Sequence, residues 1–480
     1  MYYRLKEPYA FRGWKKLPYA IRAEQGEEMQ LMPSFFGRED FHYLLYLNGE
    51  EHVDSESLPE SARALIDKLI EKGMAEVSET PLPPLEPWQR YKVYPSALIE
   101  KVHWAVTGKC NMCCRHCLVS APDHHQPQLP LEDLRHIADE IAACGVRNID
   151  ITGGEPLVRD DFAELVRIVS ERDLVIRVMF TNGSLLDEQI LKTLEEYGQK
   201  PIFQISFDGL EHHDWLRGVP GSEEKTAAAF RLLSEHGYNV AAAMMIHRGN
   251  KDSLMDTANY LASLGVRALR TNAPQELGIW RQYSEEYALS EEEIWEVYKD
   301  FIPRYFEAGM PIDVDLDGYF SCRKGSTDYR VQFGEHNVTA DDIGDVFYCG
   351  AMHSGMHIRP DGRVVPCMGL SDSVWGDRMP SVLEDHLWDI SIDPRFRDLA
   401  DTKVSALLEK NPECRDCEHL RSCTGGCLVQ DMSEDGDYLI PDHRVCWFFK
   451  HIGVDAVKEV ADAAIKKYCP ELSAVDKTGK

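Results

Sequence analysis

Residues 102–117 read VHWAVTGKCNMCCRHC, a short β-prone run that passes directly into four cysteines within eight positions. Two readings of the four compete. Cys110-x2-Cys113 with Cys114-x2-Cys117 gives two adjacent pairs; Cys110-x3-Cys114-x2-Cys117 gives three ligands and a bystander. A four-thiolate zinc site needs pairs converging from separate turns, and two pairs with nothing between them would have to wrap one short loop around the ion. Three thiolates on a loop can instead hold three irons of a 4Fe-4S cube and leave the fourth iron open.

Outward from this stretch, apolar runs alternate with helical patterns. VHWAVT, NIDIT, VIRVMF, IFQISF, VAAAMMI and VRALRT read as strands, separated by amphipathic stretches such as LEDLRHIADEIAACG and EEKTAAAFRLLSEHG. Six β-α units predict an α/β fold with a parallel sheet, curved into a barrel or doubly wound. Either form places its site at the C-terminal strand ends. The short motifs fall there: CNMCCRHC after the first strand, TGGEP after the second, TNG after the third and SFDG after the fourth.

Cys110-x3-Cys114-x2-Cys117 after the first strand, with Gly153-Gly154-Glu155-Pro156 after the second, resembles the radical S-adenosylmethionine (SAM) superfamily. The resemblance implies a partial (β/α)6 TIM-like barrel over residues 99–310. It implies a cluster on Cys110, Cys114 and Cys117 whose open iron is chelated by SAM, and reductive cleavage of SAM to methionine and a 5′-deoxyadenosyl radical. Gly153, Gly154, Glu155 and Pro156 would meet the methionine amino group; Ser206, Asp208 and Arg217 would contact the SAM ribose and carboxylate, with Asn182 a weaker candidate. Cys113 is then the bystander.

A second set of cysteines lies downstream: Cys349 and Cys367, with Gly362 between them, then Cys414-x2-Cys417-x5-Cys423-x3-Cys427, and Cys446. This spacing resembles the SPASM extension of radical SAM enzymes and implies two auxiliary 4Fe-4S clusters, three clusters in all. Cys414, Cys417, Cys423 and Cys446 would ligate the distal one, and Cys349, Cys367 and Cys427 the one nearer SAM. Its fourth position is either Cys322 or a substrate group. Residues 311–470 form this bridging and cluster region, with a tail at 471–480; few core-forming runs precede the closing helix VDAVKEVADAAIKKY, and bound metal can supply the stability. Cys144 and Cys469 read as buried small hydrophobes.

Residues 1–98 form a separate module ending in PLPPLEPW, a stretch that cannot continue a helix or central strand and reads as a linker. FHYLLYLNGEE as a strand, a helix with Ala62, Leu65, Ile66, Leu69 and Ile70 on one face and Gly73 as its cap, and a strand at Met74–Val77 suggest a winged-helix-like fold. Residues 38–80 carry eleven acidic against four basic side chains, the wrong sign for DNA. The module resembles the peptide-recognition domains fused to maturases of ribosomally made peptides, where a leader peptide adds as a strand to a sheet edge.

The whole chain of 480 residues carries a formal charge of −29, which disfavours nucleic acid and anionic membranes as partners. No window reaches the roughly 18 apolar residues of a membrane span and no signal-peptide core is evident, so the expected location is the cytoplasm. The expected function is peptide maturation: a thioether or carbon-carbon crosslink in a precursor peptide with a leader segment, fed by a reductant such as flavodoxin or ferredoxin. The alternatives are a formylglycine-generating maturase of a sulfatase-like protein, and an iron-sulfur electron carrier without radical chemistry. For the general base, Glu276, Asp315 and Asp317 lie near strand ends, where an ordinary solvated face is the simpler reading of each.

Overall fold

The computed structural model describes residues 1–14, 17–22, 34–35, 38–94, 96–97, 99–118, 126–276, 278–334 and 343–471. All six expected strands form and lie in chain order, each parallel to the next: Lys101–Ala105, Asn148–Thr152, Val175–Thr181, Ile202–Ser206, Val240–Met245 and Ala268–Asn272. Their outward faces pack against helices. In Phe162–Ser170, for example, Phe162, Leu165, Val166 and Val169 are buried, and Trp104, Phe203 and Phe230 lie wholly within the same core.

Parallel sheets usually bury apolar side chains on both faces. Here the inner face is mixed: His103, Gln204 and Ser206 are only partly covered and Arg270 is exposed, and they share that face with Phe180, Ala243 and Met245. A partly polar, incompletely covered inner face of this kind is the wall of a site, not a second core.

The sheet also extends past the six units on both flanks. Asp313–Leu316, in the stretch IDVDLDGYF, adds a seventh parallel strand beside Ala268–Asn272, and Phe320–Cys322 and Tyr329–Arg330 follow it antiparallel. On the opposite flank Gly355–Ile358, from the cysteine-rich region, pairs parallel with Lys101–Ala105, with Val364–Val365 beyond it. The two edges of this eleven-stranded sheet do not pair, so the barrel is partial. Helix Gly453–Tyr468 packs on helix Glu291–Glu307, fastening the C-terminus to the barrel wall.

In the N-terminal module the helix at Glu60–Glu71 buries Ala62, Ile66 and Leu69, and the chain reverses at Gly73 (φ 71°) into the strand Ala75–Ser78. FHYLLYLNGEE is not one strand. Its first part belongs to helix Arg38–Leu44, because Phe41 and Leu44 one turn apart face the module's core, and only Asn48–His52 is extended. The middle strand comes from the chain start, Tyr2–Leu5, which pairs with both Asn48–His52 and Ala75–Ser78. The proline-rich stretch is tied down at its end. Gln89 is fully buried and donates to the Leu5 and Tyr9 carbonyls, and the Trp88 ring lies under the Arg147 guanidinium of the barrel at 4.0 Å.

Candidate active site

The loop after the first strand is held from two sides. The second-strand motif grips its start: Gly154 N–H donates to Thr107 O (2.8 Å) and Glu155 N–H to Lys109 O (2.9 Å). A Cβ on Gly154 would stand 2.3 Å from the Lys109 oxygen, so the glycine is required by the approach of one backbone to another. Helix His213–Arg217 grips the far side, with Cys113 N–H on Arg217 O (3.1 Å) and Arg115 N–H on Leu216 O (2.9 Å). Asn182, at the third strand end, donates to the Asn111 side chain at 2.9 Å and so fixes the loop's middle.

These elements surround a cavity of about 220 Å3 at the C-terminal ends of the strands. Of the residues expected to act there, Cys110, Cys114, Cys117, Gly153, Gly154, Ser206 and Arg217 line it, as does Asn182. Cys113 is exposed and does not line it. Glu155, Pro156 and Asp208 stand behind the wall. The Glu155 carboxylate accepts from Thr181 Oγ1 (2.7 Å), Asn182 N (2.7 Å) and Leu157 N (3.1 Å), and burial pushes its pKa up to about 6. Asp208 grips Arg217 instead of facing the cavity, through contacts of 2.7 and 3.1 Å. The guanidinium and His213 keep Asp208 ionised despite its burial, and the carboxylate in turn holds Arg217 charged.

Sequence reasoning missed several cavity residues: His116, Phe180, Gln204, Met245 and Met368. Alternation along the strands could have found Gln204 and Met245, which share the inner face with Ser206. Nothing in the sequence pointed to Met368, which follows Cys367 and brings the cysteine-rich region to the cavity's rim.

The downstream cysteines fall into two groups in space. Cys349 lies close enough to Cys367 and Cys427 to push both of those thiols up, and Cys417 and Cys446 act in the same way on Cys414 and Cys423. Tyr348 lies between the groups, feeling Cys427 from one and Cys423 and Cys414 from the other. Cys322 joins neither. It is buried on Phe320–Cys322, between the strands Asp313–Leu316 and Tyr329–Arg330, beside Tyr305 and with its thiol 3.2 Å from Ser326 O, so of the two expected options for the fourth position the structure lends Cys322 no support. Cys144 and Cys469 are buried, as their isolation suggested. Among the candidate bases Glu276 is exposed and Asp315 pairs loosely with Arg270 (3.6 Å), whereas Asp317 is largely covered and held by Arg444 at 3.3 Å.

The donor sets fit iron-sulfur clusters better than single ions. Tetrahedral zinc with bonds of about 2.3 Å brings its sulfurs to about 3.8 Å from one another. Among the described residues no three cysteine thiols come within 4.8 Å of each other. Burial pushes the Cys110 thiol up to about 12 and those of Cys367 and Cys423 up to about 11, so bound metal is what would hold them as thiolates. His116 Nδ1, buried at the same cavity, has no hydrogen-bond partner among the described residues.

Comparison with known proteins agrees with this arrangement. Residues 104–261 match the radical SAM superfamily and residues 349–418 the SPASM iron-sulfur cluster-binding domain. The chain is 30% identical over 209 residues to the antilisterial bacteriocin subtilosin biosynthesis protein AlbA of Bacillus subtilis, a match that spans 41% of this chain and 46% of AlbA. It is 25% identical over 361 residues to the AdoMet-dependent heme synthase of Methanosarcina barkeri, covering 70% of this chain and 93% of that one. In fold it is similar to Streptococcus suis SuiB bound to its precursor peptide SuiA, with a TM-score of 0.64 at 14% identity, over 92% of this chain and 99% of that chain. No described helix is long and apolar enough to cross a membrane.

Proposed function

Since the chain is a radical SAM enzyme with a SPASM domain, we propose that it is a maturase of a ribosomally made precursor peptide, installing a thioether or a carbon-carbon crosslink. The observation that carries this reading is the N-terminal sheet joined to the barrel. A tetrapyrrole enzyme has no evident use for it, and the heme synthase match leaves 30% of the chain outside. The likeness to SuiB leaves only about 38 residues outside, so it takes in most of residues 1–98.

In this reading residues 1–98 are a winged-helix-like peptide-recognition module with its linker, and the outer edge of the Ala75–Ser78 strand takes the leader. Lys6 N–H donates to Met74 O, so along the antiparallel pair the N–H and C=O groups of Ala75 and Val77 face outward. Among the described residues nothing pairs with those of Val77, which is 42% exposed, whereas Ala75 is buried, so Val77 is the position at which an added strand would bond.

Cys110, Cys114 and Cys117 hold the SAM cluster, and the backbone of Gly153–Gly154 and the Ser206 hydroxyl line the wall where SAM would lie. When bound and reduced, the cluster with SAM supplies a 5′-deoxyadenosyl radical. Phe180 and Met245 give the cavity apolar walls, which keep water from a reactive carbon. Met368 stands where this cavity meets the cysteine-rich region, and Cys349, Cys367 and Cys427 hold the nearer auxiliary cluster. Held by these three cysteines alone, that cluster would leave one iron open to a substrate thiolate, which favours the thioether.

The test is incubation of reduced, reconstituted protein with SAM and a precursor peptide encoded beside it. Peptide-dependent 5′-deoxyadenosine and a peptide lighter by two hydrogens are expected. Turnover with a porphyrin and none with any peptide would reject the maturase reading.

A further inference from the structure

We propose that the Asp208–Arg217 pair sets the reduction potential of the cluster held by Cys110, Cys114 and Cys117, acting through the guanidinium that lies against the Cys114 sulfur. The inference rests on that ligand reading. Arg217 Nη1 stands 3.7 Å from Cys114 Sγ, within hydrogen-bonding range of sulfur. The rest of the fork is taken by Asp208, with Nε to Oδ2 at 2.7 Å and Nη2 to Oδ1 at 3.1 Å. Asp208 is itself fixed: Met245 N–H donates to Oδ1 (3.1 Å), His213 Nδ1 is 3.2 Å from Oδ2, and Asn250 Nδ2 donates to its backbone oxygen (2.9 Å). Both side chains are buried, and the two bonds to Asp208 hold the guanidinium in place.

The three ligand sulfurs are not equivalent. Helix His213–Arg217 seats the loop on both sides of Cys114, through the bonds from Cys113 and Arg115 N–H, and adds a cation against that sulfur alone of the two whose donors are defined. Among the described residues Cys110 Sγ takes a backbone N–H, from Met112 at 3.4 Å, and no cation.

A donor and positive charge beside a ligand sulfur stabilise the reduced, more negative cluster and raise its potential. In a buried setting that effect is little screened. Asp208 pulls the other way from one layer further out. The pair is therefore a balanced setting, with the nearer charge dominant. Arg217 is in this respect a positioning and tuning residue for the cluster, separate from any contact with SAM.

The consequence is a pair of opposite shifts, which a merely loosened loop does not produce. An EPR-monitored redox titration of the reconstituted holoenzyme, without SAM, would follow the signal that changes when SAM is later added. Arg217→Gln should lower the midpoint, while Asp208→Asn, leaving the guanidinium unopposed, should raise it. A tenfold change in the reduction equilibrium, about 59 mV for one electron, is the size expected in each direction. Asp208→Asn/Arg217→Gln should fall between the two. Unchanged midpoints with an intact signal overturn the proposal, and so does a loss of SAM affinity alone. If Arg217→Gln fails to fold, Asp208→Asn decides: a raised midpoint supports the pair, and an unchanged or lowered one rejects it. A wild-type protein with no SAM-responsive signal would overturn the ligand reading, and this inference with it.

Discussion

Glu155 Oε2 accepts the backbone N–H of Asn182 at 2.7 Å, tying the end of the second barrel strand to the end of the third. The same carboxylate holds Thr181 and Leu157, and Asn182 passes the restraint on to Asn111 in the cysteine loop. Glu155 therefore orders the site from behind.

That role has a pH signature. Burial pushes the Glu155 carboxyl up to about 6, above an unfolded value of about 4.3, so the folded state binds the proton more tightly. Stability from this group is fullest below the unfolded value and is lost as pH rises through the folded one, by roughly 2 kcal/mol in all. Glu155→Gln carries no charge to bury. Its denaturation midpoint relative to wild type should improve by about 1 kcal/mol between about pH 5 and pH 7.5; a difference that is flat with pH would show that the three donors, not burial, dominate. Glu155→Ala leaves those donors unmatched, at about 1–3 kcal/mol each.

Gly154→Ala should damage the cluster loop and not the fold. Its Cβ would meet the Lys109 carbonyl at 2.3 Å, one residue before Cys110. The backbone there cannot yield without moving the first ligand. The expected result is loss of about four of about twelve irons with the far-ultraviolet dichroism retained. Full iron content in the variant would mean that the loop adapts.

The six strands and both cysteine sets were legible because each rests on local pattern: apolar runs of strand length, and thiols at fixed intervals. What escaped the sequence depends on distant partners. Gly355–Ile358 joins the barrel only because Lys101–Ala105 offers a free edge, and Tyr2–Leu5 becomes a central strand only between two later ones. Glu155 and Asp208 were expected to face the cavity. Each is instead the inner support of a residue that does, Asn182 and Arg217, and no spacing rule distinguishes a ligand from its support. For Cys322 the sequence left two options open, ligand or bystander, because spacing alone cannot say which partners a lone cysteine packs against; its place beside Tyr305 favours the bystander.

Iron content separates these cysteine assignments. Cys322→Ala should retain all the iron and lose about 1–2 kcal/mol of stability, the ordinary consequence of removing a buried side chain. Cys113→Ala should also keep its iron and cleave SAM. Cys367→Ala should lose the nearer auxiliary cluster, about four irons. Iron loss from Cys322→Ala would restore it as a ligand.

The proposed leader-binding edge is best tested without truncation, because Trp88, Tyr94, Ser96 and Ala97 pack against the rest of the protein. Ser96 Oγ donates to Cys144 O at 2.9 Å, Ala97 N–H donates to Ser391 Oγ at 3.0 Å, and a Cβ on Gly145 would collide with the Tyr94 ring. A deletion to residue 98 strips that cover and confuses peptide affinity with barrel stability. Val77→Pro is more discriminating. Val77 is 42% exposed on the outer strand and its N–H points away from Tyr2–Leu5, so proline removes a donor that an added strand needs and the sheet itself does not use. Leader-peptide affinity measured by fluorescence anisotropy should fall about tenfold, the loss of about one or two hydrogen bonds, while 5′-deoxyadenosine formed without peptide stays at the wild-type level. Undiminished affinity in Val77→Pro would move the leader to another surface and leave the Ala75–Ser78 edge without a ligand.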